Sequence, residues 1–137
     1  HLVVPVQTLL HNPSRHAQYT YVSDDQGQIW KRSNLIDLGG HGDHDSCYEG
    51  TLEELTDGRI LMLLRTNLDV FREVYSEDHG YYWRKLRPSQ IDASSSPGYL
   101  TRLASGRLIL AWNPLYPEGA TTYRRHGPPR GAVDRFL

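Results

Sequence analysis

A repeat constrains this chain more than any other feature. The octapeptides SDDQGQIW (Ser23 to Trp30) and SEDHGYYW (Ser76 to Trp83) share the pattern Ser-x-Asp-x-Gly-x-x-Trp, offset by 76 − 23 = 53 residues. A second pair of segments, Glu49 to Asn67 and Pro97 to Pro114, aligns at an offset of 97 − 49 = 48 and matches Gly50 with Gly98, Leu55 with Leu103, Gly58 with Gly106 and Arg59 with Arg107. Two independent motifs that alternate at this spacing mark a chain assembled from copies of one supersecondary unit.

Each unit reads as four short strands. Ile60 to Leu64 and Leu108 to Trp112 are continuously apolar, which predicts strands buried on both faces. Asp57-Gly58 and Ser105-Gly106 fall at hairpin tips, where glycine supplies a positive φ. Arg72 to Ser76 and Tyr81 to Leu86 read as a third and a fourth strand, and no window carries helical periodicity. Four-stranded units of this length, set side by side, are the blades of a β-propeller. The expected fold class is therefore all-β, about two to three blades of a propeller. Residues 1–45 are expected to end one blade, 46–95 to form a full blade, and 96–137 to begin the next and finish in a tail. A closed ring takes roughly 4–8 blades, so the remaining blades are expected from a longer parent chain or from other copies.

The octapeptide has a mechanical reading. Asp25 and Asp78 accept backbone N–H groups across the turn after Ser23 and Ser76, Gly27 and Gly80 take a conformation barred to other residues, and Trp30 and Trp83 cap the blade. These residues are assigned to structure, since exposed turn aspartates without a partner make poor catalysts.

The hairpin from Glu49 to Arg65 carries the chemistry. A type I turn followed by a left-handed glycine pairs Leu55 with Arg59, and that register sets Glu49 opposite Arg65 on one face. The equivalent positions one unit later are Pro97 and Asn113, so the hairpin is buildable without an ion pair there. Two readings stand: a cross-strand salt bridge, or an arginine fork for a carboxylate beside a glutamate base. Strict alternation places Tyr48 on the face away from Glu49.

Just before this hairpin, GGHGDHDSC gathers His41, Asp43, His44, Asp45 and Cys47 among glycines. The spacing fits no zinc signature, so no metal or cofactor is assigned. Asp43, His44 and Asp45 are instead candidate substrate-loop residues on the Glu49 rim. Ser94-Ser95-Ser96-Pro97 leads into the next inner strand on the same rim, or is simply a polar linker.

The two octapeptides, known as Asp-boxes, together with YEGTLEELTDGRILMLLRTN and SSSPGYLTRLASGRLILAWNP, resemble bacterial exo-sialidases of the BNR-repeat type. The resemblance implies a six-bladed propeller in which an arginine triad binds the sialic acid carboxylate. A tyrosine then attacks the anomeric carbon, a glutamate polarises that tyrosine, and an aspartic acid protonates the leaving group. It implies Glu49 as the activating glutamate and Arg65 as the middle arginine, with Arg124 or Arg125 near the place of the third. It also implies a secreted or periplasmic protein acting on a sialoside or related acidic sugar. The first arginine, the acid/base aspartate and the nucleophile belong to other blades, so residues 1–137 alone are expected to hydrolyse negligibly.

The bulk properties narrow the alternatives. Fifteen Lys and Arg against sixteen Asp and Glu give a net charge of −1, so no field favours nucleic acid or an acidic membrane surface. No run approaches the ~20 apolar residues of a membrane helix. Cys47 is the only cysteine, so no internal disulfide forms. The function expected is that of an incomplete exo-α-sialidase, and its competitor is a non-catalytic Asp-box propeller that binds glycan or protein.

Overall fold

The computed structural model describes residues 1–42 and 44–115. Nine strands run in chain order: β1 Leu2–Leu10, β2 Arg15–Ser23, β3 Lys31–Arg32, β4 Tyr48–Glu54, β5 Ile60–Arg65, β6 Val70–Ser76, β7 Trp83–Asp92, β8 Tyr99–Arg102 and β9 Leu108–Ala111. They form three antiparallel sheets among the described residues, ordered β1-β2-β3, β4-β5-β6-β7 and β8-β9. The fold is all-β, that of part of a BNR-type propeller. Each Asp-box follows the strand that ends in its serine, β2 for Ser23 and β6 for Ser76, so among the described residues the first sheet has no counterpart of β4.

The two hairpins predicted to be copies are copies in detail. Leu55 N–H donates to the Arg59 carbonyl at 2.7 Å and Gly58 N–H to the Leu55 carbonyl at 3.0 Å. In the next unit, Leu103 N–H meets the Arg107 carbonyl at 2.9 Å and Gly106 N–H the Leu103 carbonyl at 2.8 Å. Gly58 and Gly106 sit at φ +83° and +82°, the left-handed region that side chains with a Cβ disfavour.

The apolar run of β5 is divided between two cores. Ile60, Met62 and Leu64 pack with Ile36, Cys47, Val74 and Trp83 toward the first sheet. Leu61 and Leu63 pack with Phe71, Ala93 and Leu100 toward the third. This is the both-faces burial read from the sequence, and it follows from the period-2 alternation of strand side chains between stacked sheets. The matching run of β9 differs: Leu110 packs on the core toward the second sheet, while Leu108, at the end of that same face, and Ile109, on the other face, are exposed.

Both Asp-boxes are built on the same serine, aspartate and glycine bonds. Ser23 Oγ donates to Asp25 Oδ1 at 2.8 Å and accepts Gly27 N–H at 2.8 Å, while Asp25 Oδ1 also accepts the Gln28 and Ile29 N–H groups. In the second box Ser76 Oγ makes the same two contacts with Asp78 and Gly80, and Asp78 accepts Tyr82 N–H at 2.8 Å. These N–H bonds, that from Ile29 first, hold the Asp25 carboxyl below the usual carboxylate range. The tryptophans are unlike each other. Trp83 is buried and its indole donates to Thr20 Oγ1 at 2.8 Å, across to the first sheet. Trp30 is exposed and its indole returns to the Gly27 carbonyl. The cap expected of both is realised at Trp83, where a neighbouring sheet lies against it.

Candidate functional site

Glu49 and Arg65 meet at the start of β4 and the end of β5, with Arg65 Nη1 donating to Glu49 Oε2 at 2.5 Å. The route to that contact differs from the flat register read from the sequence. From Glu54↔Ile60 to Thr51↔Leu63 the pairing runs as expected, but Arg65 pairs with Tyr48. Glu49 and Gly50 therefore both stand against Leu64, which is a β-bulge. Glu49 takes φ +47° there. A left-handed non-glycine residue costs about 1–2 kcal/mol and persists only where its surroundings enforce it. Gly50 is one such constraint: a Cβ at that position would lie 2.6 Å from Met62 Sδ and 3.0 Å from Leu64 Cδ2.

The bulge also overturns the expectation for Tyr48. Its ring lies under the Arg65 guanidinium, 4.7 Å from centroid to Cζ, not on the opposite face. Tyr48 is 2% exposed, so it serves as a platform for the arginine and is closed to any ligand. The ring also stacks on His16 at 4.5 Å, and its hydroxyl lies 3.2 Å from His44 Nδ1. His16 Nδ1 is buried without a hydrogen-bond partner among the described residues. Sequence reasoning missed His16 and Tyr48. The signal that could have found Tyr48 was Gly50, a glycine inside an otherwise regular strand.

The loop before β4 is held from both ends. Arg15 donates twice to Asp37, Nε to Oδ1 at 3.0 Å and Nη2 to Oδ2 at 2.6 Å, and Asp37 Oδ1 also takes Gly39 N–H and Ser46 Oγ–H. These bonds, the Arg15 fork foremost, hold the Asp37 carboxyl below its ordinary range against the cost of burial. Asp45 accepts His41 N–H at 2.9 Å and the Asn67 amide at 2.9 Å, so its carboxylate braces the loop against the turn after β5. Gly40 permits this, because a Cβ there would sit 2.5 Å from Asp45 Cβ. Of the three loop candidates, His44 reaches the Tyr48 platform, Asp45 is engaged in bracing, and Asp43 lies outside the described residues. Arg124 and Arg125 also lie outside them. Cys47 is fully buried, and burial pushes its thiol up to about 12.

Arg65 is thus fixed by a carboxylate at one corner and an aromatic ring beneath. Ser95 Oγ lies 3.4 Å from both its Nε and Nη2. The Arg65 side chain is 17% exposed and that of Glu49 32%, so the pair opens to solvent mainly through the acid. Glu49 lines a groove of about 510 Å³ between β4 and β8, shared with Thr51, Glu53, Tyr99 and Thr101. In the equivalent place of the next hairpin, Asn113 holds the serine turn by accepting Ser94 N–H and donating to Ser96 Oγ. One hairpin design therefore carries an ion pair in one unit and a structural amide in the next. Among the described residues no cluster of His, Cys, Asp or Glu is arranged to hold a metal ion.

Residues 1–130 match the BNR repeat-like domain. The chain belongs to the BNR repeat-like family. No curated protein matches the chain. Among solved structures, the BNR chain is similar to a protein of unknown function from Dyadobacter fermentans DSM 18053, at 22% identity and a TM-score of 0.66. That match covers 80% of the present chain but 30% of the Dyadobacter protein. At this identity the likeness concerns the fold alone. The BNR repeat accounts for the two Asp-boxes and the alternation of motifs.

Proposed function

We propose that the protein carrying this BNR-repeat chain is a glycoside hydrolase of the exo-α-sialidase type, releasing terminal sialic acids from glycoconjugates. Arg65 holds the substrate carboxylate, and Glu49 is the base that activates a tyrosine nucleophile contributed from outside this stretch. A tyrosine titrates at about 10 and needs an adjacent base to attack at neutral pH. A neutral nucleophile also avoids repulsion from the substrate's own carboxylate.

The observation that carries this reading is the strained bulge. Glu49 is kept at φ +47° to meet Arg65 at 2.5 Å, although the sister hairpin makes the same turn and pairs Arg102↔Leu108 to Tyr99↔Ala111 with Pro97 and Asn113 at the equivalent places in the sequence. A salt bridge of this exposure adds on the order of 1 kcal/mol or less, which does not repay a left-handed glutamate. Backbone strain of this kind gathers at functional sites.

Hydrolysis of a fluorogenic sialoside by the full-length protein tests the reading. Arg65→Ala should lower kcat/KM by at least about 100-fold, with the Tm changed by only a few degrees. Unchanged turnover in Arg65→Ala would leave a propeller that binds glycan or protein without catalysis, with Glu49–Arg65 as its salt bridge.

A further inference from the structure

We propose that Gln18, on the first sheet, is a positioning residue for Glu49: its buried carboxamide grips the bulge of β4 and keeps the glutamate in its left-handed conformation. This rests on the base role proposed for Glu49.

The face of β2 that packs on the second sheet leads to it. His16, Gln18 and Thr20 alternate along that face, and each holds a different point of the second sheet. His16 stacks on the Tyr48 ring at 4.5 Å, Gln18 Oε1 accepts the Gly50 N–H at 3.3 Å, and Thr20 Oγ1 donates to the Gly80 carbonyl at 2.8 Å. The residues on either side of Glu49 are therefore both held from the neighbouring sheet. A bulge disrupts the ladder around it, so these holds fix the backbone where strand pairing does not. Between them Glu49 keeps its φ of +47° and reaches Arg65.

Gln18 is itself fixed. Its backbone exchanges two bonds with Ile36, donating at 3.0 Å and accepting at 2.7 Å. Its side chain is buried, at 1% exposure, with Nε2 3.5 Å from the Tyr19 carbonyl, so the shorter of these two side-chain contacts is the one to the bulge. Burial of a carboxamide is unfavourable unless hydrogen bonds offset it. An unbranched apolar side chain such as methionine would fill the same space without that cost. What glutamine adds is an acceptor for the bulge.

Hydrogen exchange at the Gly50 amide and sialoside hydrolysis, both on the full-length protein, test this with Gln18→Met and Thr20→Val compared below the Tm of each. Thr20→Val should lower the Tm and leave kcat and KM as in wild type. Gln18→Met should speed Gly50 exchange at least about ten-fold. It should also lower kcat about ten-fold with KM unchanged, whatever its effect on the Tm, since a base acts in the transition state. Unchanged Gly50 exchange in Gln18→Met, a loss carried by KM, or an equal fall of kcat in Thr20→Val overturns the inference. Glu49→Gln separates the two proposals. If it turns over sialoside as fast as wild type, or if wild type gives no turnover, the base role of Glu49 fails and the Gln18 role with it. If it loses turnover while Gln18→Met keeps it, the Gln18 role alone fails.

Discussion

At the scale of single residues, two carboxylates decide how the rim behaves. Asp37 has its pKa depressed by Arg15, Gly39 and Ser46. A depressed carboxyl contributes stability that is complete above the unfolded value of ~3.9 and is lost as pH falls through the lower folded value. Thermal stability should therefore drop as pH is lowered from about 5 to about 3, and Asp37→Asn should show a shallower drop. Melting curves across that range check it; equal slopes would refute the linkage. Glu49 is the other. Its nearness to Arg65 was legible because the Asp57-Gly58 turn fixes the register as far as Thr51↔Leu63, but the residue directly opposite Arg65 is Tyr48, and Glu49 meets the arginine from the bulge. Tyr48 was not legible. A bulge breaks the alternation rule locally, and only Gly50, wedged against Met62 and Leu64, betrays it.

At the scale of elements, the Asp-box is both a turn and a clasp. The second box docks on the first sheet: Thr20 Oγ1 donates to the Gly80 carbonyl at 2.8 Å, the Trp83 indole donates to Thr20, and Asn34 brackets the Trp83 backbone. A Cβ on Gly80 would lie 2.8 Å from Val3 Cγ1, whereas one on Gly27 would find its nearest atom at 3.5 Å. Both glycines have φ +92°, so the backbone cost of alanine is shared and only Gly80 adds a clash. Gly27→Ala should cost about 1 kcal/mol and Gly80→Ala about 2–3 kcal/mol, read from denaturant midpoints. Equal losses would show that the second box does not bear on the first sheet. The internal bonds of the turns were readable from Ser, Asp and Gly alone. Which tryptophan is buried was not, because that depends on whether another sheet lies over it.

At the scale of the whole molecule, the cores between sheets report on one another. Cys47 sits in the core between the first two sheets, with no exposed surface and a thiol pushed up to about 12. A thiol reagent at neutral pH should label it only when these sheets part, so the labelling rate should track unfolding across a denaturant series. Fast labelling of the folded protein would contradict the stacking described here. The stacking was legible from the apolar run of β5, since a strand buried on both faces needs a partner on each. The exposure of Leu108 and Ile109 was not, because the same pattern says nothing of what covers a face. Glu49 and Arg65 are proposed to act as one site on an acidic sugar. A double-mutant cycle on kcat/KM for sialoside hydrolysis by the full-length protein, with Glu49→Gln, Arg65→Ala and the pair, tests it most directly. Residues acting as a unit are non-additive, so the double variant should be little worse than the poorer single one. Losses that multiply independently, or single variants as active as wild type, would contradict it.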